Sequence, residues 1–404
     1  MSEPKLSICI PTYNRSRYLG TVLVHLEDIL KQLPFETEVI ISDNASTDNT
    51  LELLEAVQDR LPLTILRQET NLGAVSNINA ALRAAKGTYV VYLADDDRLR
   101  PEGVLKSIEM LDANPNACGL YAPWQIKDLV ANRVIKQFYS QPRDVTIAQG
   151  NYAQLLEHIA EFKIYSEICI LRRDVFKSLH PIPTDIAFWA FTTPAEYLGA
   201  GDLIYAQEPF YCSISRHFEG DARMQLGFRE VMNAWDTYRG GLEYLHGLAI
   251  SHGGLTKPDM VARFVQTHPI ERMYTALKLR LQLGGDPLEN YALAARLRGL
   301  GLGSQLPAPM EQIRTTAALY FACVKLPETL QATGVAVIGN CPEESLQQLN
   351  SVTDLPVHHA EHADDIGSGD VVLDFGSQDD ALRKRARATA LAHITEAQLQ
   401  QKFV

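Results

Sequence analysis

Three consecutive carboxylates, Asp95, Asp96 and Asp97, follow an apolar run at residues 89–93. The run is rich in aromatic and β-branched side chains, which is the composition of a fully buried strand. Like charges at one strand end repel one another, and burying any of them without a partner is costly. Because hard carboxylate oxygens suit Mg²⁺ and Mn²⁺, the triplet predicts a divalent cation shared by some of these side chains. A solvated acidic turn that closes the strand is the alternative interpretation.

The elements that must position the triplet alternate between strand and helix patterns. Short apolar runs predict four strands, at residues 6–10, 38–42, 63–66 and 89–93. Between these runs, apolar residues recur at the spacing of a helix that buries one face, and Ser46 or Thr47 is expected to cap the second helix. Regular alternation argues for right-handed crossovers, so the sequence predicts an α/β fold with a mostly parallel sheet flanked by helices.

Polar residues follow three of the predicted strands, at 12–14, 43–44 and 95–97. Ligands of parallel sheets bind outside the carboxyl ends of the strands, so these residues are candidates for one site. Asp43 has two interpretations, since its carboxylate can accept a hydrogen bond from a nucleobase N–H or cap the helix that follows. The sequence contains no GxGxxG after the first strand and no GxxxxGK[ST], which argues against a dinucleotide Rossmann site and a P-loop.

Four blocks of sequence carry a resemblance to a known family. They read Ile-Cys-Ile-Pro-Thr-Tyr-Asn-Arg at 8–15, Ile-Ser-Asp-Asn-Ala-Ser-Thr-Asp at 41–48, Asn-Leu-Gly at 71–73 and Leu-Ala-Asp-Asp-Asp at 93–97. In this order and at this spacing they resemble the family 2 glycosyltransferases, which have the GT-A fold. The resemblance implies a nucleotide-diphosphate sugar as donor, a divalent metal (Mn²⁺ or Mg²⁺) bound through a DxD motif, and transfer with inversion.

The resemblance also assigns residues to the expected site. It implies that Thr12 and Asp43 contact the nucleoside. Asp97 is expected to be a direct metal ligand, and Asp95, the other end of the DxD motif, to lie nearer the ribose or sugar. The full set expected around the donor and its metal comprises Pro11, Thr12, Tyr13, Asn14, Asp43, Asn44, Asn71, Gly73, Asp95, Asp96 and Asp97.

Residues 208–217 resemble the closing strand of the family's catalytic domain. In the family a histidine after this strand often reaches the metal or the diphosphate, so the resemblance implies His217 as a further metal ligand. Earlier in the chain, residues 118–123 and 133–139 predict strands of an antiparallel extension, and residues 165–171 predict another strand.

Inverting transfer in one displacement needs a carboxylate that takes the proton of the acceptor hydroxyl. In the resembling family the acceptor region carries this base, and here the region at 181–197 holds two candidates, Asp185 and Glu196. Asp185 is favoured because it follows a proline-fixed loop and precedes an aromatic run, where a carboxylate can be held at the edge of a pocket. Glu196 has the helical spacing that is typical of a solvated face. The family's Glu-Asp pair is not clear before the closing strand, so both candidates stay open.

Beyond residue 225 the chain changes character. Helices are predicted over 226–330, and residues 331–404 have the pattern of a small α/β unit with a final helix at 379–403. The sequence therefore predicts three domains, with a glycosyltransferase domain at 1–225. Basic residues on the predicted helices leave peripheral docking on a membrane as an alternative to a solvated face. A homo-oligomer through the helical or C-terminal region is a further hypothesis.

Composition limits the partners and the compartment. The 404-residue chain has a formal net charge of −12, which argues against nucleic-acid binding. Its six cysteines lack CxxC spacing, which favours neither a zinc site nor a disulfide framework. With no recognisable signal peptide and no apolar run long enough to cross a bilayer, we expect a cytoplasmic protein, with the inner face of the membrane as the alternative location.

These features predict a metal-dependent, inverting glycosyltransferase that acts on a glycan or lipid-linked acceptor in bacterial surface polysaccharide synthesis. A sugar-nucleotide nucleotidyltransferase is the enzymatic alternative, although residues 11–17 contain no glycine for the Gly-rich loop expected of that class. A degenerate transferase fold that serves as a binding or scaffold module is the non-enzymatic alternative. The intact acidic triplet argues against it.

Overall fold

The computed structural model describes residues 3–179, 184–221 and 231–403. Contacts divide these residues into two compact units: the first contains the described residues up to 221 and residues 234–269, and the second contains 231–233 and the chain from 270 onwards. The predicted boundaries at residues 225 and 330 stay a prediction. The division by contacts differs from these boundaries, because residues 234–269 pack with the first unit.

The strands of the first unit form two sheets. The strands that the structure describes there are β1 (Leu6–Thr12), β2 (Thr37–Asp43), β3 (Leu63–Arg67), β4 (Tyr89–Tyr92), β5 (Arg98–Leu99), β6 (Ala117–Tyr121), β7 (Trp124–Asp128), β8 (Arg133–Phe138), β9 (Val145–Ile147), β10 (Cys169–Arg172), β11 (Asp202–Tyr205) and β12 (Tyr211–Arg216). Within the described residues, the larger sheet has the order β3-β2-β1-β4-β10-β6-β11-β9, and the smaller one has the order β5-β12-β7-β8.

Strands β3, β2, β1 and β4 run parallel to one another, while β10 is antiparallel to both of its neighbours, β4 and β6. The register of β1 on β2 places Thr12 beside Asp43 at the carboxyl ends. Burial on both faces explains why β1, β2 and β4 read as continuous apolar runs, whereas β3 at the edge of the sheet is only partly buried. The predicted fold class, an α/β fold with a mostly parallel sheet, is confirmed.

The antiparallel extension is only partly as predicted. Strand β8 does pair antiparallel with β7 in the smaller sheet. The strand predicted at 118–123 is present as β6, but it lies inside the larger sheet, antiparallel to β10 and parallel to β11, and not in an extension. The predicted strand at 165–171 begins only at Cys169.

Helices cover the faces of the first unit. Those described are α1 (Ser16–Leu30), α2 (Thr50–Val57), α3 (Ala74–Ala84), α4 (Pro101–Ala113), α5 (Tyr152–Phe162), α6 (Arg173–Ser178), α7 (Trp189–Ala200), α8 (Trp235–His252) and α9 (Pro258–Leu283), whose second half belongs to the second unit. The apolar stripe of α1 is buried as its spacing predicts. Neither Ser46 nor Thr47 caps α2: the Asp48 carboxylate accepts the backbone N–H of Thr50 at 3.1 Å instead.

The second unit contains a small sheet in which all neighbouring strands are parallel. Its strands are β13 (Gly334–Gly339), β14 (Val357–His359), β15 (Asp370–Phe375) and β16 (Ala392–Thr395), in the order β14-β13-β15-β16. Its further helices are α10 (Pro287–Leu297), α11 (Met310–Tyr320), α12 (Leu326–Leu330), α13 (Glu343–Val352), α14 (Asp380–Thr389) and α15 (Glu396–Lys402). The single helix predicted at 379–403 is wrong, because pairing with β15 draws residues 392–395 into a strand.

Among the described residues, no helix combines the length and the apolar character that crossing a membrane requires.

Candidate active site

A cavity of about 600 Å³ lies at the carboxyl ends of the parallel strands of the first unit. Its wall brings together segments that are distant in sequence, and it includes Pro11, Thr12, Tyr13, Arg15, Asn44, Asn71, Gly73, Asn77, Asp95, Asp96, Asp97, Trp124, Glu167 and Tyr211. Predicted site residues from all four sequence blocks therefore line one space, as ligand binding at the ends of parallel strands requires.

One part of the wall is a network of carboxamides. Asn44 donates its side-chain N–H to Asn71 Oδ1 at 2.8 Å, and its own Oδ1 accepts the backbone N–H of Leu72 at 2.9 Å. Asn77, on α3, donates to the carbonyl oxygen of Ser42 at 2.8 Å and to that of Thr12 at 3.2 Å. These bonds fix the loop before α3 against the ends of β1 and β2, so the polar wall is held in place before any ligand binds.

Asp43 is fully buried at the end of β2, beside this network. Its Oδ1 accepts the backbone N–H of Ser46 at 3.1 Å, but its Oδ2 has no hydrogen-bond partner among the described residues. A buried, unsatisfied carboxylate oxygen is costly, and such atoms commonly mark a place where a ligand donates. Asp43 itself does not line the cavity wall, although its chain neighbour Asn44 does.

The first two carboxylates of the triplet, Asp95 and Asp96, share a guanidinium. Arg15 forms ion pairs with Asp95, at 3.3 Å from Nε to Oδ1, and with Asp96. Thr12 donates its hydroxyl to Asp95 Oδ2 at 2.8 Å. Burial alone would lower the pKa of Arg15, but the charges of Asp95 and Asp96 raise the pKa above its usual value. Arg15 therefore stays charged and neutralises part of the repulsion within the triplet.

Asp97 is held by donors from β12. The Tyr211 hydroxyl donates to its Oδ2 at 2.9 Å, and the backbone N–H of Ile214 donates to its Oδ1 at 2.8 Å. Burial and the charge of Asp96 nevertheless raise the pKa of Asp97 to about 7, against the opposing effect of these hydrogen bonds. The site thus carries more negative charge than its own donors compensate.

The donor chemistry of the triplet fits a hard divalent cation, because carboxylate oxygens and excess negative charge are what Mg²⁺ and Mn²⁺ require. The described residues contain no group of three or more His, Cys, Asp or Glu side chains arranged to hold a metal by themselves. A cation here would take further ligands from a bound diphosphate. His217 packs against the triplet, with its Nε2 2.8 Å from the Asp96 carbonyl oxygen and its Nδ1 3.3 Å from the Thr21 hydroxyl.

The remaining predicted site residues lie away from the cavity wall. Asn14 links two loops instead: its Oδ1 accepts the backbone N–H of Thr47 at 2.7 Å. Asp185 is exposed in the segment that leads into α7, and Glu196 is half-buried within α7. Neither candidate base is among the residues that line the cavity.

Several wall residues were not singled out from the sequence. Arg15 closes the first sequence block, so its position in that motif was the available signal. Asn77 is a polar residue on the buried side of α3, which is a recognisable anomaly. Trp124, Glu167 and Tyr211 reach the cavity through the folding of distant segments, and no local pattern marks them.

A sheet whose parallel strands end at an acidic cavity is the arrangement expected of a GT-A type fold. The family model described as Glycosyl transferase family 2 matches residues 7–179. This part of the chain is therefore similar to glycosyltransferase family 2. A crystal structure of Staphylococcus aureus TarS 1–349 in complex with UDP-GlcNAc shares the fold, with a TM-score of 0.50 and 18% identity over 80% of this chain and 87% of that one.

Two curated relatives illustrate the similarity. The poly(ribitol-phosphate) beta-N-acetylglucosaminyltransferase TarS of S. aureus is 24% identical over 70% of this chain and 47% of its own length. The abequosyltransferase RfbV of Salmonella typhimurium is 35% identical over 24% of this chain and 30% of its own length. The chain thus spans less than half the length of either relative.

The hydroxyl of Tyr211 generates a prediction about stability. It donates to Asp97 and accepts the backbone N–H of Ala94 at 3.1 Å, and burial keeps it protonated by raising its pKa. We expect Tyr211→Phe to lower the free energy of unfolding by about 1–3 kcal/mol, since both buried partners lose a bond. Denaturant unfolding measures this, with Tyr13→Phe at the cavity rim as the control, expected within about 0.5 kcal/mol of wild type. Equal stability of both variants would contradict the assigned role.

Proposed function

We propose that the chain is a glycosyltransferase that moves a sugar from a nucleoside-diphosphate donor to a hydroxyl group of a glycan or lipid-linked acceptor. The observation that carries this proposal is the single cavity in which the carboxamides of Asn44, Asn71 and Asn77 and the triplet Asp95–Asp97 line the same space. A nucleoside diphosphate has groups that suit both walls: a base and ribose for the amides, and phosphates for a cation at the carboxylates.

The nucleoside end of the proposal rests on Asp43. Its unpaired Oδ2 is an acceptor that lacks a donor, and a nucleobase N–H supplies one. Thr12, Tyr13 and Pro11, at the end of the neighbouring strand β1, line the cavity wall. UDP-GlcNAc, the ligand named for the TarS fragment, is the first donor to examine.

The diphosphate end includes a divalent cation. Asp97 and Asp95 would hold it, with Asp96 alongside and His217 as the further predicted ligand. When bound, the cation supplies positive charge that stabilises the charge developing on the departing nucleotide. The hydroxyl of Thr12 and the guanidinium of Arg15 orient Asp95 through the bonds they already make.

The acceptor end is proposed from chemistry alone. Transfer with inversion needs one carboxylate near the attacking hydroxyl, and Asp185 and Glu196 stay the candidates predicted from sequence. The name of TarS gives poly(ribitol-phosphate) as the acceptor and the name of RfbV gives an abequosyl group as the transferred sugar. On this likeness we extend the proposal to bacterial surface polysaccharide synthesis. A cytoplasmic location completes the proposal, with the inner face of the membrane as the alternative.

The proposal is tested by measuring the melting temperature of the purified chain with UDP, GDP, CDP and dTDP, each with and without Mn²⁺. One nucleotide should stabilise the protein more than the others, and Mn²⁺ should increase that shift, because ligands that bind only the folded state raise its stability. The matching nucleotide sugar should then release its nucleoside diphosphate in the presence of a glycan acceptor. A chain that no nucleotide stabilises, with or without Mn²⁺, would rule out the proposed function.

Asp43→Asn is expected to weaken nucleotide binding while leaving kcat nearly unchanged. The amide keeps an oxygen for the backbone N–H of Ser46 but replaces the unpaired oxygen with a donor, which cannot accept from a nucleobase. A nucleobase contact is the same in the ground and transition states, so the loss should appear as a higher KM for the donor, by about tenfold or more. Calorimetry and steady-state kinetics measure it. An unchanged dissociation constant would count against the nucleobase contact.

Asp97→Asn is expected to lower kcat by roughly 100-fold or more while the protein stays folded. Asparagine keeps one oxygen to accept the backbone N–H of Ile214, and its amide N–H can donate to the Tyr211 hydroxyl, but it removes a ligand charge from the proposed cation site. Circular dichroism checks the fold, and Asp59→Asn on the exposed surface is the matched control. Full wild-type activity in excess EDTA would exclude the cation.

A further inference from the structure

One carboxylate on the cavity wall has no place in the donor site. The described wall residues include four carboxylates, and three of them are the triplet. The fourth is Glu167, which is half-buried and precedes β10. Asp185 and Glu196, the bases predicted from sequence, do not line this space. Any chemistry that needs a second acid or base inside the cavity must therefore consider Glu167 first.

The topology of the sheet explains why Glu167 reaches the cavity. Strand β10 runs antiparallel between β4 and β6, with Ile170 opposite Val91 on one side and Leu120 on the other. The beginning of β10 therefore lies beside the carboxyl end of β4, where the triplet follows. Extending the register of β10 on β4 places Glu167 opposite Ala94, the residue before the triplet. Glu167 therefore lies just before β10 begins, at the edge of the sheet where the parallel strands end.

The segment that carries Glu167 is fixed on both sides. Ser166 is buried, and its hydroxyl lies 2.8 Å from the Tyr205 hydroxyl. The Tyr165 hydroxyl lies 2.6 Å from His268 Nε2, and the backbone N–H of Ala122 donates to the Ile168 carbonyl at 3.4 Å. A carboxylate held by anchored neighbours loses little further freedom when a substrate binds, which is what precise positioning of a catalytic group requires.

The surroundings of Glu167 suit a sugar. Trp124 lines the same cavity, and its ring stacks on Phe138 at 4.6 Å between centroids. The adjacent Tyr139 is partly buried, and burial, Tyr205 and the charge of Glu167 raise its pKa. An anchored aromatic wall beside a carboxylate is a common setting for a carbohydrate hydroxyl, because the ring packs on the sugar while the acid accepts its proton.

We propose that Glu167 is the catalytic base that takes the proton of the acceptor hydroxyl. The inference rests on the proposed transferase function. The acceptor oxygen forms a bond to the anomeric carbon of the donor sugar. The bond from that carbon to the diphosphate oxygen breaks, and its electron pair leaves with the nucleoside diphosphate. The acceptor proton passes to the Glu167 carboxylate.

The test compares wild type, Glu167→Gln and Glu109→Gln, an exposed glutamate on α4 that serves as the control. Glu167→Gln should lower kcat roughly 100- to 10,000-fold, the range for losing a general base. Its affinity for the nucleoside diphosphate, measured by calorimetry, and its melting temperature should stay at the wild-type values. Glu109→Gln should transfer as wild type does.

Other outcomes separate the base from the function. Transfer by Glu167→Gln at the wild-type rate overturns the base assignment alone, and loss of activity in Asp185→Asn instead would assign the base to Asp185. A higher KM for the donor with unchanged kcat also overturns it, since that would make Glu167 a sugar-binding residue. A wild-type chain that binds nucleotide but transfers no sugar overturns both the base and the proposed function.

Discussion

The cost of keeping three carboxylates at the end of one buried strand governs the structure around the cavity. The protein meets this cost in two ways. Arg15 supplies a full positive charge to Asp95 and Asp96, whereas Asp97 has the neutral donors Tyr211 and Ile214. Burial and the charge of Asp96 raise the pKa of Asp97, and its neutral donors oppose this effect only in part. The remaining imbalance is the physical basis for expecting a cation there.

How far the sequence could be interpreted depends on whether a feature is local. Strands β1, β2 and β4 were predictable because they are buried on both faces and therefore show as apolar runs. The position of β6 depends on pairing with β10 and β11, which lie about 50 to 85 residues later in the chain. The neighbours of β6 in the sheet could therefore not be predicted from its own sequence. Strand β16 was missed for the same reason: it is only four residues long and lies between two helices, so its pairing with β15 is what identifies it as a strand.

The candidate site also contains some residues that local patterns mark and others that only distant pairing brings into place. The donor-side residues occur in blocks that follow consecutive strands, so their convergence follows from the topology of a parallel sheet. Glu167 and Trp124 come from segments whose route to the cavity is set by an antiparallel insertion. Asp185 was favoured on its aromatic neighbours, but those rings, such as Phe188 and Phe191, pack into the core and leave the carboxylate exposed. The match to the family model also ends at residue 179, before β12 supplies the donors to Asp97.

The hydrogen bonds to Asp97 join residues that are 114 and 117 positions apart. A ribosome that has synthesised the chain as far as residue 210 has produced the entire triplet and the nucleoside-side network, but none of the groups that hold Asp97. Closing so long a loop costs entropy that only the completed smaller sheet offsets. Strand β12 therefore sets the moment in translation at which the acidic site acquires its final geometry. Before this strand has emerged, a nascent chain cannot hold Asp97 in that geometry.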